Sequence, residues 1–95
     1  MNIGKAIKEI RKQRGFSQIE LAAKVGLTQA SISQIELELK RPTKRNLNAL
    51  CKELEIAEPL LYLLAMEPSD VPKKHKMKYD ALFPIVKNLI SQIVE

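Results

Sequence analysis

The chain has 95 residues, of which 45% are apolar and only 4% aromatic, and its net charge is +5. That composition excludes a disordered tail and calls for one compact domain with an aliphatic core. The basic balance favours a polyanionic partner such as nucleic acid. No apolar run approaches the ~20 residues of a membrane span, and Met1-Asn2-Ile3-Gly4-Lys5 has no apolar signal core, so a soluble, cytoplasmic protein is expected. Cys51 is the single cysteine and His75 the single histidine. An intrachain disulfide and a zinc site of four Cys/His ligands are therefore excluded. Cys51 falls in an apolar helical stripe and His75 in a Lys-rich stretch. The pair reads as a buried thiol and a solvated imidazole, not as a catalytic couple. No other catalytic constellation is present, so neither an enzyme nor a metal or cofactor is expected.

Ile3, Ile7 and Ile10 recur at helical spacing and predict an amphipathic helix over residues 2–13, stopped by Gly15. Ser17-Gln18-Ile19-Glu20 is a capping box for a second helix, with Phe16 and Leu21 as its hydrophobic staple. Leu21, Ala22 and Val25 face inward, and Gly26 suits a left-handed ending. Thr28 caps a third helix almost at once, flanked by Leu27 and Ile32 as a second staple. Ile32 and Ile35 form its buried stripe. Ala30, Ser33, Gln34 and Leu37 point the other way, with Gln29 and Ser31 on the flanks.

After the exit Leu37-Glu38-Leu39-Lys40-Arg41-Pro42, Thr43 predicts a new cap. Leu47, Leu50, Cys51 and Leu54 then mark a fourth helix. Glu58-Pro59 opens a fifth, with Leu60, Leu61, Leu63 and Leu64 as an apolar block. Residues 68–78 hold two prolines and no apolar period, and read as a linker. Leu82, Val86, Leu89, Ile90 and Ile93 share one face of a last helix, with Pro84 tolerated only in its first turn.

Two helices joined by a tight glycine turn, the second with a polar outer face, make a helix-turn-helix. Short Gln, Ser and Ala side chains let such a helix approach the major groove, where a Gln amide can bond adenine N6 and N7 together. The run Ser17-Gln18-Ile19-Glu20-Leu21-Ala22-Ala23-Lys24-Val25-Gly26-Leu27-Thr28-Gln29-Ala30-Ser31-Ile32-Ser33-Gln34-Ile35-Glu36 resembles the Xre family and the lambda-type phage repressors. The similarity extends from about Ile3 to Leu64. It implies an all-α fold, a compact five-helix lambda-repressor-like bundle over residues 1–67, to which the apolar spacing of residues 79–95 adds an extra C-terminal helix.

The resemblance also implies roles. Gln18 sits by a DNA phosphate and braces the recognition helix, beside the cap Ser17. Gln29, Ala30 and Ser31 read bases, as does the later outward residue Gln34, with Ser33 between them. Glu36 pairs with Arg11, which that pair could also aim at a phosphate. Lys40, Arg41, Lys44 and Arg45, placed after the recognition helix and at the next helix start, are expected phosphate clamps. The lysines of the linker read as solubilising. The chain departs from the family at Leu37-Glu38-Leu39, where a turn with glycine is usual. Without a glycine cap the third helix is expected to run on by a turn, with Glu38 awkwardly close to phosphate.

The expected partner is double-stranded DNA, bound by a two-fold dimer whose recognition helices lie ~34 Å apart. The stripe Leu82, Val86, Leu89, Ile90 and Ile93 is the expected dimer contact, against the alternative that the last helix folds back onto its own bundle. The function expected first is a transcriptional regulator, most simply a repressor. Two rivals are an antitoxin with a toxin as protein partner, and a helical interaction module without DNA binding.

Overall fold

A computed structural model describes the backbone of residues 1–94 and the side chains of residues 1–92. Among these residues there are six α-helices and no strand: α1 (Ile3–Gln13), α2 (Gln18–Val25), α3 (Gln29–Glu36), α4 (Lys44–Glu53), α5 (Glu58–Ala65) and α6 (Lys76–Val94). Single 3-10 turns at Pro68–Asp70 and Lys73–His75 stand between α5 and α6.

The helix starts are set by short polar side chains. Ser17, Thr28 and Thr43 accept hydrogen bonds from the backbone N–H of Glu20, Ser31 and Asn46 at 3.0, 3.1 and 3.1 Å. Asn2 does the same for Lys5 at 2.8 Å. Each cap satisfies an otherwise orphaned donor, an effect of ~1 kcal/mol. At Ser17 the box is complete, because the Glu20 carboxylate accepts from the Ser17 N–H at 3.1 Å. That bond is the main reason the Glu20 carboxyl lies below its ordinary pKa.

The helix ends use left-handed residues. Gly15 (φ 77°) and Gly26 (φ 72°) follow α1 and α2 as the sequence suggests. The end of α3 differs from expectation. The helix stops at Glu36, and Glu38 itself takes the left-handed conformation with φ 62°. The Leu39 and Glu38 N–H groups then bond the Gln34 and Ile35 carbonyls at 2.9 and 3.1 Å, which satisfies the free helix end without a glycine. The Glu38 carboxylate turns towards the first turn of α1, 3.4 Å from the Gly4 nitrogen, where the helix dipole favours an anion. Glu55 (φ 54°) closes α4 in the same way.

Ile7, Ile10, Leu21, Ile32, Ile35, Leu50, Leu54 and Leu61 are fully buried and fill the centre. Each such aliphatic side chain contributes ~1.5–3 kcal/mol of burial. Helix α1 packs on α3 and α5, and α2 packs on α3 and α4. The first turn of α1 meets the last turn of α3 at Gly4, where a Cβ would lie only 2.8 Å from the Glu36 carbonyl oxygen. A bidentate ion pair joins the same two helices: Arg11 Nε–Glu36 Oε2 is 2.6 Å and Arg11 Nη2–Glu36 Oε1 is 3.0 Å. Both residues are buried, at 7% and 6% exposure. Arg14 caps the far end of α4, donating to the Leu54 and Glu55 carbonyls at 2.8 and 3.1 Å.

Helix α6 begins three residues earlier than the sequence suggests and carries Pro84 in its interior, not in its first turn. The first turns are held by side chains that periodicity overlooks. Tyr79 and Phe83 stack at 4.7 Å, and the Tyr79 hydroxyl donates to the Met66 carbonyl at 3.2 Å. The expected apolar stripe is divided. Ile90 is buried in the bundle core at 3% exposure and Val86 packs against that core. Leu82 and Leu89 remain 60% and 53% exposed, joined by Ile85 at 59%. The Ile93 side chain lies outside the described residues.

Replacing Glu36 by Ala should lower folding stability in urea by ~3–5 kcal/mol, because it strands the buried Arg11 charge. A loss below ~1 kcal/mol would show that the pair is dispensable to the fold. Glu55→Gly should raise stability by ~1 kcal/mol by relieving the left-handed backbone, and an unchanged or lowered midpoint would contradict that strain.

Candidate nucleic-acid interface

The candidate interface is built on α2 and α3, joined by Gly26, Leu27 and Thr28. Leu27 and Val25 pack against the core, so the turn is anchored while the outer face of α3 stays free. On that face Gln29, Ala30 and Gln34 are exposed, and Ser31 and Ser33 are partly buried. The five expected reading residues therefore lie on one short helix whose outer face is uncharged, with amides at Gln29 and Gln34.

A file of hydrogen bonds links this face to the ion pair beneath it. Glu36 Oε1 accepts from Gln18 Nε2 at 3.0 Å as well as from Arg11. Gln18 Oε1 in turn accepts from Gln29 Nε2 at 2.7 Å. The arrangement orients Gln29 through three residues before any ligand arrives. Among the described residues no buried side-chain nitrogen or oxygen lacks a partner.

Arg11 also donates from Nη1 to the Phe16 carbonyl at 2.8 Å. With the guanidinium buried and aimed at Glu36 and Phe16, the reading that puts Arg11 on a phosphate gives way to that of an internal brace. Ser17 remains exposed at the start of α2, where its hydroxyl accepts from Glu20 and keeps its own hydrogen for another acceptor. Lys40, Arg41, Lys44 and Arg45 are all exposed. They flank the N-terminus of α4, whose first N–H groups add to any anion contact there.

Two contacts at the site escaped the sequence reading. Lys24 lies over the Phe16 ring at 5.2 Å from its centre, a cation–π contact across the two ends of α2. Glu38, placed by sequence near phosphate, faces α1 instead. Cys51 is buried on the inner face of α4, and burial pushes its thiol above the ordinary pKa, while His75 is exposed. No helix among the described residues is long and apolar enough to cross a membrane.

Comparison with known proteins agrees with this geometry. A helix-turn-helix family model matches residues 7–61. The chain is 33% identical over 78 residues to the HTH-type transcriptional regulator SinR of Bacillus subtilis, an alignment covering 82% of this chain and 63% of that protein. It is 36% identical over 56 residues to the immunity repressor protein of Bacillus phage phi105, covering 59% of this chain and 39% of that one. The chain thus spans less than two thirds of the length of either relative. The matched span contains α2, α3 and the whole Arg11–Glu36–Gln18–Gln29 file. The chain belongs to the helix-turn-helix family of Xre and lambda-repressor type.

Proposed function

We propose that this chain is a sequence-specific, double-stranded-DNA-binding transcriptional regulator, a repressor, that acts as a homodimer on an operator of two half-sites. The observation that carries this reading is the hydrogen-bonded file that ties Gln29 to the buried Arg11–Glu36 pair. A side chain held this way presents its amide to a groove with little side-chain freedom left to lose on binding. The names of the two relatives, a repressor and a transcriptional regulator, support the regulatory half of the reading.

In this mechanism α3 enters the major groove with its N-terminal residues at the base edges. Gln29 and Gln34 read bases through their amides, while Ala30, Ser31 and Ser33 admit close approach of the backbone. Ser17, Gln18, Lys40, Arg41, Lys44 and Arg45 hold the phosphates on either side and fix the register. Residues 1–67 form the DNA-binding unit, and α6 supplies the dimer contact. The contact uses the solvent-facing part of the expected stripe, Leu82 and Leu89 with Ile85 between them, because Val86 and Ile90 are already engaged with the bundle. The spacing of three and four residues is that of a helix–helix seam.

Gln29→Ala and Gln34→Ala should each weaken binding to a selected operator by ~1–3 kcal/mol per lost base contact, with little change on random DNA. Equal loss on both would contradict base reading. The wild-type affinity should fall with salt at a log–log slope of roughly 0.9 per phosphate contact. In sedimentation, Leu89→Asp should give monomers with unchanged helix content, whereas Ile90→Asp should lower the melting temperature. An intact dimer in Leu89→Asp would remove α6 from the interface.

A further inference from the structure

The outer face of α3 ends in a residue that the reading above leaves unused. Leu37 follows the last helical residue but keeps the helical pattern, its N–H bonding the Ser33 carbonyl at 3.0 Å. At ~100° per residue it therefore falls between Ser33 and Ala30 around the axis, in the middle of the face that carries Gln29 and Gln34. It is 63% exposed. Its neighbours in the chain cannot take that place. Glu36 is buried on Arg11, and the left-handed Glu38 turns its carboxylate to α1. One branched apolar side chain thus stands among the amides and hydroxyls of that face, whereas Leu39, also exposed, lies beyond the left-handed Glu38 and off the helical pattern.

The major-groove edges of the four base pairs offer hydrogen-bond donors and acceptors together with a single apolar group, the C5-methyl of thymine. We infer that Leu37 is a specificity-determining residue that packs against a thymine methyl at one edge of the half-site. The inference rests on the reading of α3 as the recognition helix. Eight residues of helix separate Leu37 from Gln29, a rise of ~12 Å, so this thymine is a different base from the one at Gln29, on the side of the C-terminal end of α3. A polar base edge at that position would lose its water against leucine without gaining a partner, so the contact also rejects cytosine and guanine.

The test uses the whole chain and a duplex selected by it from a randomised pool, with each thymine replaced singly by deoxyuridine. Wild-type protein should lose roughly four-fold in affinity at one thymine, the factor matching ~0.8 kcal/mol for one buried carbon. Leu37→Ala should bind the thymine and deoxyuridine duplexes alike, Leu37→Met should restore the difference, and Leu39→Ala should leave it intact. Specific binding with no Leu37-dependent deoxyuridine effect would overturn the inference and leave the recognition helix standing. Failure to select any sequence, or selected binding indifferent to Gln29→Ala and Gln34→Ala, would overturn both. A Leu37→Ala protein weakened equally on every duplex and dissociated in sedimentation would instead assign Leu37 to a contact between two copies of the chain.

Discussion

The buried pair of Arg11 and Glu36 is the contact on which the arrangement of the site depends. Removing two full charges from water costs several kcal/mol per ion, and only close geometry with further hydrogen bonds offsets it. Both conditions hold here. The guanidinium makes two bonds to the carboxylate and a third to the Phe16 carbonyl, and the carboxylate takes a further bond from Gln18. The same contact fixes the distance between α1 and α3. Gly4 allows that closeness, since any side chain there would strike the last carbonyls of α3. The aliphatic core supplies most of the folding energy, but a core of Ile and Leu tolerates small shifts of one helix on another. A bidentate pair tolerates far less, and so it sets where the reading face sits.

Much of this was legible in the sequence because it is written in local chemistry. Ser17, Thr28 and Thr43 announce their helices through caps that need only neighbouring residues, and the observed starts follow each of them by one residue. Gly15 and Gly26 likewise announce endings by the backbone freedom they alone have. The exits at Glu38 and Glu55 were not legible in this way. There a residue of ordinary preference is held left-handed by carbonyl bonds on one side and by tertiary contacts on the other, and no local signal marks it. The Arg14 cap on α4 spans forty residues and leaves no trace in any periodicity.

The last helix shows a different limit. Spacing marks an apolar face, but a face is an arc, and spacing does not say how much of the arc touches the bundle. Val86 and Ile90 occupy the inner side and Leu82 and Leu89 the outer. Whether a side chain at the border is covered depends on where α5 lies, with Leu63 also left partly open there. The aromatic pair Tyr79 and Phe83, which starts the helix early, lies outside the aliphatic pattern used to find it.

The file from Arg11 to Gln29 also has a sense of direction. A carboxylate can only accept, so Glu36 obliges Gln18 to turn its NH₂ group inward and its carbonyl outward. That carbonyl in turn obliges Gln29 to offer it an N–H. Neither amide is free to rotate by half a turn, as an isolated glutamine on a surface would be. The oxygen of Gln29 and its second N–H are left for a ligand, one acceptor and one donor in a known order. A negative charge sealed inside the bundle thereby dictates the polarity of a neutral group on its surface, two hydrogen bonds away by way of the neighbouring helix.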